Sequence, residues 1–219
     1  MKMGNLASAF LTEAQQQQIR DAVAQAEART AGEIVVLVVS ASYHYPMAAV
    51  RAALFCALPL GLLLTPVAGG WLWLGRANLW VFLALATVLG IVAVAAVNHW
   101  AVLKRWLTPV AEMEAEVREA AVTGFFNHRL HCTRDQSGVL IFISVLEHKV
   151  WVLADKGICD CVGEGAWSQT VALITDGIRR RQPCPAICAA VQQVGDLLAL
   201  HFPPRPGDTD ELKAVIVEA

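Results

Sequence analysis

The sequence predicts an α/β protein, a three-layer α/β/α sandwich with a mixed sheet, interrupted by a two-helix transmembrane hairpin. Three observations carry that expectation. Two uncharged apolar runs, 52–74 and 79–97, lie back to back, joined only by Gly75-Arg76-Ala77-Asn78. Two shorter runs, 33–40 (EIVVLVVS) and 139–145 (VLIFISV), are rich in β-branched residues and read as strands buried on both faces, as in a sheet flanked by helices. Between and after them, apolar residues recur with helical spacing.

A bilayer core of ~30 Å is crossed by ~20 helical residues, which both long runs supply. A four-residue connector returns the second span to the side the first came from. The flanking soluble parts then share a compartment and become candidates for one folded domain. The expected organisation is 1–46 as the first part of that domain, 47–107 as the hairpin, 108–202 as the second part and 203–219 as an irregular tail. The competing reading, a buried helical hairpin of a soluble protein, is disfavoured because uncharged stretches of spanning length seldom occur in pairs in soluble folds. Pro59 and Pro66 weaken the first span, since each removes a helix hydrogen bond.

Basic residues are retained on the cytoplasmic side. Arg51, Lys104 and Arg105 flank the spans at one end against Arg76 at the other, which predicts a multi-pass protein of the bacterial inner membrane with both termini cytoplasmic. Tyr43, Tyr45, Trp100 and Trp106 mark the cytoplasmic interface, and Trp71, Trp73 and Trp80 the far one.

In chain order, Thr12 with Gln15 forms a capping box that opens a helix carrying Ile19, Ala22, Val23 and Ala26 on one face. Thr30-Ala31-Gly32 stops it before the first strand. After the hairpin, a helix over 111–123 carries Met113, Val117 and Ala121 on its apolar stripe and ends at Gly124. The second strand follows, then a two-residue turn at Glu147-His148 and a third strand over 150–155. A loop rich in glycine and acids covers 156–166. Trp167, Val171, Ile174 and Ile178 mark a helix, and Pro185 begins another that runs to Leu200. A strand–helix–strand order favours parallel pairing of the first two strands, with the third antiparallel to the second. On this topology the hairpin only lengthens one crossover at its membrane-side end.

Composition agrees with a membrane protein: 56% of residues are hydrophobic and 16% charged. A net charge of −2 and the lack of any reading motif argue against nucleic acid as a partner. The first ten residues have no apolar signal core, so no cleaved leader is expected. The six cysteines are scattered, and a cytoplasmic location keeps thiols reduced.

The expected hairpin register sets Leu140 opposite Asp155 and brings Asp135 near Asp160. Glu33, Asp135, Asp155, Asp160 and Glu164 then crowd the sheet edge that faces away from the membrane. Converging carboxylates suit Ca²⁺ or Mg²⁺, and a pair such as Asp135 and Asp160 could act as catalytic acid and base on a phosphate ester held by that metal. The competing reading is that these are solvated loop acids and helix caps.

The run Leu11-Thr12-Glu13, Ile19 and Thr30-Ala31-Gly32-Glu33-Ile34-Val35-Val36, followed by Asp135-Gln136-Ser137-Gly138-Val139-Leu140-Ile141 and Asp155-Lys156-Gly157-Ile158, resembles the TPM-domain family. That family includes a plant thylakoid lumen acid phosphatase and photosystem II repair factors. The resemblance covers nearly all the soluble chain and implies an α/β/α sandwich with an acidic, divalent-metal-binding edge. Unlike many relatives this chain carries its anchor inside the domain, and its Asp135-Gln136-Ser137-Gly138 loop is longer than the Asp-Asn-Gly type.

Other candidates are weaker. Cys159 and Cys161 with Cys184 and Cys188 lack the usual zinc spacing. His128, His131 and Cys132 read as loop residues, and Arg179-Arg180-Arg181 as a solvated helix end. The function that follows is a cytoplasmic TPM-like binding or scaffolding domain, held at the bilayer and assisting assembly or upkeep of other membrane proteins. The alternative is a metal-dependent phosphomonoester phosphatase.

Overall fold

The computed structural model describes residues 6–73, 78–163, 165–204 and 214–218. The described residues divide into two compact units: one lies within 44–113, the other is formed from the described parts of 6–43 and 114–218. The second unit is therefore assembled from both sides of the insertion.

Its centre is a mixed sheet of four strands, β1 (Glu33–Val39), β2 (Gly138–Ser144), β3 (Lys149–Ala154) and β4 (Val215–Glu218), in the order β3-β2-β1-β4. β1 pairs in parallel with β2 and with β4, and β2 pairs antiparallel with β3. Every residue of β1 and β2 is buried, as their unbroken apolar runs predict. Alternate residues serve opposite faces. Ile34, Val36, Val38, Val139, Ile141 and Ile143 pack beneath three helices, α2 (Glu13–Glu27), α9 (Ser168–Arg179) and α10 (Pro183–His201). Val35, Leu37, Leu140 and Phe142 pack with Val117, Ala121 and Phe125 of α7 (Val110–Asn127). A short α1 (Leu6–Phe10) precedes α2, and its Ala7 N–H donates to Ser40 Oγ at 3.0 Å.

The capping box at Thr12 forms as expected: Gln15 N–H donates to Thr12 Oγ1 and Thr12 N–H to Gln15 Oε1. Other expectations need correction. Gly124 does not end α7, which continues to Asn127. A Cβ there would sit 2.7 Å from Leu37 Cδ2, so the glycine lets the helix lie close on the sheet. The 203–219 segment is not wholly irregular: β4 occupies the outer edge of β1, with Val36 opposite Val215 and Val39 opposite Glu218. The third strand begins one residue early and its register moves. Leu140 faces Leu153, and Asp155 lies beside Gly138, donating its N–H to that carbonyl at 2.9 Å. The connection is four residues, 145–148, because Val145 and Leu146 turn back to donate to the carbonyls of Val39 and Ser40.

The other unit holds two long helical segments. The first runs without a break from Pro46 to Trp71 and comprises α3 (Pro46–Ala52), a π turn (Ala53–Ala57) and α4 (Leu58–Trp71). The π turn sits just before Pro59, where Leu58 N–H reaches back to the Ala53 carbonyl. A helix widened in this way accommodates a ring that cannot donate. The second is α5 (Leu79–His99), opened by Asn78, whose Oδ1 accepts from Trp80 and Val81. A short α6 (Ala101–Leu107) follows. Both segments start or end beyond the expected bounds, and Gly75, Arg76 and Ala77 of the connector lie outside the described residues.

By length and composition, the first segment, α5 and α10 are all apolar enough to span a membrane. α10 is otherwise employed: Ile187, Ala190, Val191, Val194 and Leu198 are core residues beneath the sheet.

Because β1 takes β2 and β4 as partners, both from beyond the insertion, the two halves of this unit should fold together without the hairpin. Tyr43 and Glu116 line one cavity, so replacing 45–107 by a short Gly/Ser linker closes only a small gap, and closure costs grow slowly with loop length. The expected product is soluble and unfolds cooperatively in urea. An aggregated or non-cooperative chain would show that the helical segments belong to its core.

Candidate functional site

The acidic edge predicted at the start of β1 is only partly assembled. Glu33 is buried at the first position of β1, opposite Gly138. Asp155 caps α8 (Lys156–Cys159), accepting from Lys156 N–H at 2.7 Å through Oδ1, while its Oδ2 is buried and has no hydrogen-bond partner among the described residues. The Asp135 loop does abut this turn: a Cβ on Gly157 would lie 2.8 Å from the carbonyl oxygens of Asp135 and Gln136. That approach explains a glycine after Asp155-Lys156. Asp160, however, is an exposed residue at the far end of α8, and Glu164 lies outside the described residues. Among the described residues no three His, Cys, Asp or Glu side chains come close enough to hold a metal ion. The register explains the difference. A four-residue connection in place of two moves β3 along β2 and leaves Asp155 as a cap beside Gly138, not opposite Leu140.

The cysteines likewise form no ligand set. Cys159 and Cys161 are exposed near α8, whereas Cys184 is buried on α10, its Sγ 3.3 Å from Gln18 Oε1 of α2. Burial, with the neighbouring Cys184 thiol, pushes Cys188 up to about 11, so it stays protonated at neutral pH. The His131 ring lies tilted against Phe126, with ring centroids 4.9 Å apart, and its Nε2 is 3.3 Å from Cys132 Sγ.

Two features were not legible beforehand. Glu147, expected as half of a two-residue turn, is buried and holds the carboxyl ends of β1 and β2 together. Its Oε1 accepts from Ser42 N–H at 3.0 Å, and its Oε2 accepts from Ser144 Oγ. Beside it, on the α7 face, is a cavity of about 330 Å³ lined by Leu37, Val39 and Phe142 of the sheet and by Glu116, Glu119 and Glu218. His128 Nε2 lies 3.3 Å from Glu218 Oε1 at its rim. The three glutamates share the cavity with apolar sheet residues, and no lysine or arginine is among its described lining residues. The carboxyl ends of parallel strands are where open α/β sheets bind ligands.

The helical unit has the reverse of a soluble surface. In α4 the buried positions are Gly61, Thr65 and Gly69, a one-turn repeat of small residues. Gly61 faces the backbone of Ala86 on α5, its nearest approach 3.5 Å from an added Cβ. The large side chains point out: Phe55, Leu62, Leu63 and Val67 on one segment, and Val88, Ile91 and Val92 on the other, are exposed. Small residues at the helix contact with large apolar residues outside is the packing of helices in lipid. At one end of this unit polar contacts gather. Arg51 pairs with Glu112 at 2.6 Å and donates to the Leu107 carbonyl, and Lys104 Nζ donates to the His44 carbonyl at 2.8 Å. Burial holds the Lys104 ammonium below the usual lysine range. Tyr45, expected at the interface, is instead buried ahead of α3.

No family model matches the chain, and no curated protein matches it in sequence. Among solved structures it is similar to the NMR structure of the BA42 protein from the psychrophilic bacterium Bizionia argentinensis, with 20% identity and a TM-score of 0.56 over 94% of this chain and 95% of that one. At this identity the likeness concerns the fold alone, and it supports an α/β protein.

Replacing Glu147 with Ala strands the Ser42 N–H and the Ser144 hydroxyl in the interior. The loss expected in urea unfolding of the hairpin-deleted protein is ~2–4 kcal/mol, with Glu147→Gln losing less because it keeps an acceptor. Equal, small losses for both variants would contradict a structural role for this carboxylate.

Proposed function

We propose that the protein is a membrane-anchored binding module. The segment 46–71 and α5 form a two-helix transmembrane hairpin, and the sheet-containing unit is a cytoplasmic domain that engages other membrane proteins. The observation that carries the anchor is the inverted surface of the helical unit: Gly61, Thr65 and Gly69 inside, with Phe55, Leu63 and Val67 outside. In water those side chains would expose a broad apolar surface of the kind that soluble monomers avoid.

The orientation rests on Arg51, Lys104 and Arg105 at one end of the spans. The binding role rests on the cavity at the carboxyl ends of β1 and β2. Its three glutamates, beside apolar sheet residues, suit a basic side chain with an apolar stem, as a partner's juxtamembrane segment supplies. The resemblance to TPM-domain proteins, some of which act in repair of a membrane complex, points the same way. Phosphomonoester hydrolysis has no convergent carboxylate set among the described residues to support it, which favours binding over catalysis.

Cysteine accessibility tests anchor and orientation together. Cys56, Cys132, Cys159 and Cys161 are all exposed in the protein alone. In sealed membrane vesicles with the cytoplasmic face outward, a water-soluble maleimide should modify Cys132, Cys159 and Cys161 and spare Cys56 until detergent is added. In vesicles of opposite orientation none of the four should react. Modification of Cys56 as fast as Cys161 in intact vesicles would remove the anchor, and reaction of Cys161 only from the other face would reverse the orientation.

A further inference from the structure

α6 departs from the pattern of a helix on a water-exposed surface. Trp100 breaks it from α5, adopting an extended conformation with φ −110° and ψ 107°. Along the next two turns Lys104 turns in and Val102 and Trp106 turn out, with Leu103 and Leu107 half-buried. Lys104 is only 5% exposed, its ammonium donating to the His44 carbonyl. Val102 and Trp106, one helical turn apart, are 82% and 79% exposed, and Trp100 is 56% exposed. In water this orientation is unfavourable twice over, for the buried ammonium and for the bare indoles. It becomes favourable where the surroundings are less polar than the interior of the unit.

We propose that α6 lies in the headgroup–acyl boundary of the bilayer, with Trp100, Val102 and Trp106 inserted as an interfacial foot beside the hairpin. This deepens the membrane reading and rests on it. The occupant of this face is lipid because α6 follows α5 in the chain with only Trp100 between them, and because indole rings partition to that depth. Exposed Arg105 lies on the same helix, within reach of lipid phosphate. Lys104 then has a positioning role. Held by the His44 carbonyl, it ties α6 to the chain entering α3 and fixes which face of α6 meets the lipid.

The test uses the full chain carrying fluorotryptophan, reconstituted in phosphatidylglycerol-containing nanodiscs and read by fluorine NMR. Single Trp→Phe variants assign the resonances. A doxyl group placed high on the lipid acyl chain should broaden Trp100 and Trp106 severalfold more than Trp151 and Trp167, while a water-soluble gadolinium chelate should leave them nearly unchanged. Lys104→Ala should weaken the lipid effect on Trp106, and Lys104→Arg should largely restore it. If Trp71 and Trp80 respond to the lipid probe but Trp100 and Trp106 respond to the chelate, the interfacial foot is wrong and the hairpin stands. If none responds to lipid, both fall. Shielding of Trp106 from both probes would mean a protein contact and would also overturn the proposal.

Discussion

The rest of the structure depends on the burial of β1. All seven residues of Glu33–Val39 are covered, with hydrogen-bonding partners on both edges and helices on both faces. None of those strand partners comes from the segment that contains β1. A strand of this kind cannot be satisfied locally, since its unpaired N–H and C=O groups would be buried without partners. The chain must therefore return from its long excursion through the apolar helices and deliver β2 and β4 to either side. An insertion is tolerated because it falls in a crossover connection, where added length carries a slowly growing closure cost.

Two kinds of apolar packing then coexist in one polypeptide. Around the sheet, Val, Ile and Leu point inward and the exterior is polar, as the hydrophobic effect in water requires. In the helical unit the order is reversed: Gly61, Thr65 and Gly69 are the buried positions of α4, and Gly61 faces Ala86 of α5. Lipid provides no hydrophobic gain for burying large side chains, so close backbone approach holds such helices together. Among the described residues, half-buried Arg51 and Glu112 and buried Lys104 find carbonyl or carboxylate partners at one end of the unit. That distribution suits a body with a dry middle and a wetter end.

Much of this was legible in the residues. Thr12 and Gln15 encode a cap through local geometry alone, and the β-branched runs at Ile34 and Val139 encode central strands through composition. The uncharged run from residue 52 through the rest of the first segment, and that of α5, are equally plain. What escaped depends on tertiary partners. β4 is four residues long, too short for periodicity to register, and it exists because β1 offers an edge. The register of β3 follows from a four-residue connection that contains Glu147, which looks like an ordinary turn acid and is in fact a buried acceptor for Ser42 and Ser144. The shift leaves Asp155 as a cap beside Gly138 and not opposite Leu140. Conversely, Glu116, Glu119 and Glu218 are distant in sequence and carry no motif, so their shared cavity emerges only from the fold.

The central claim is that the exterior of the helical unit is a lipid-facing surface. Flotation tests it most directly: the purified full chain is reconstituted into liposomes, washed with alkaline carbonate and centrifuged through a density gradient. The account predicts that the chain rises with the lipid after the wash, whereas the hairpin-deleted protein stays at the bottom. A full chain that is stripped from the liposomes and remains soluble and monomeric would contradict it.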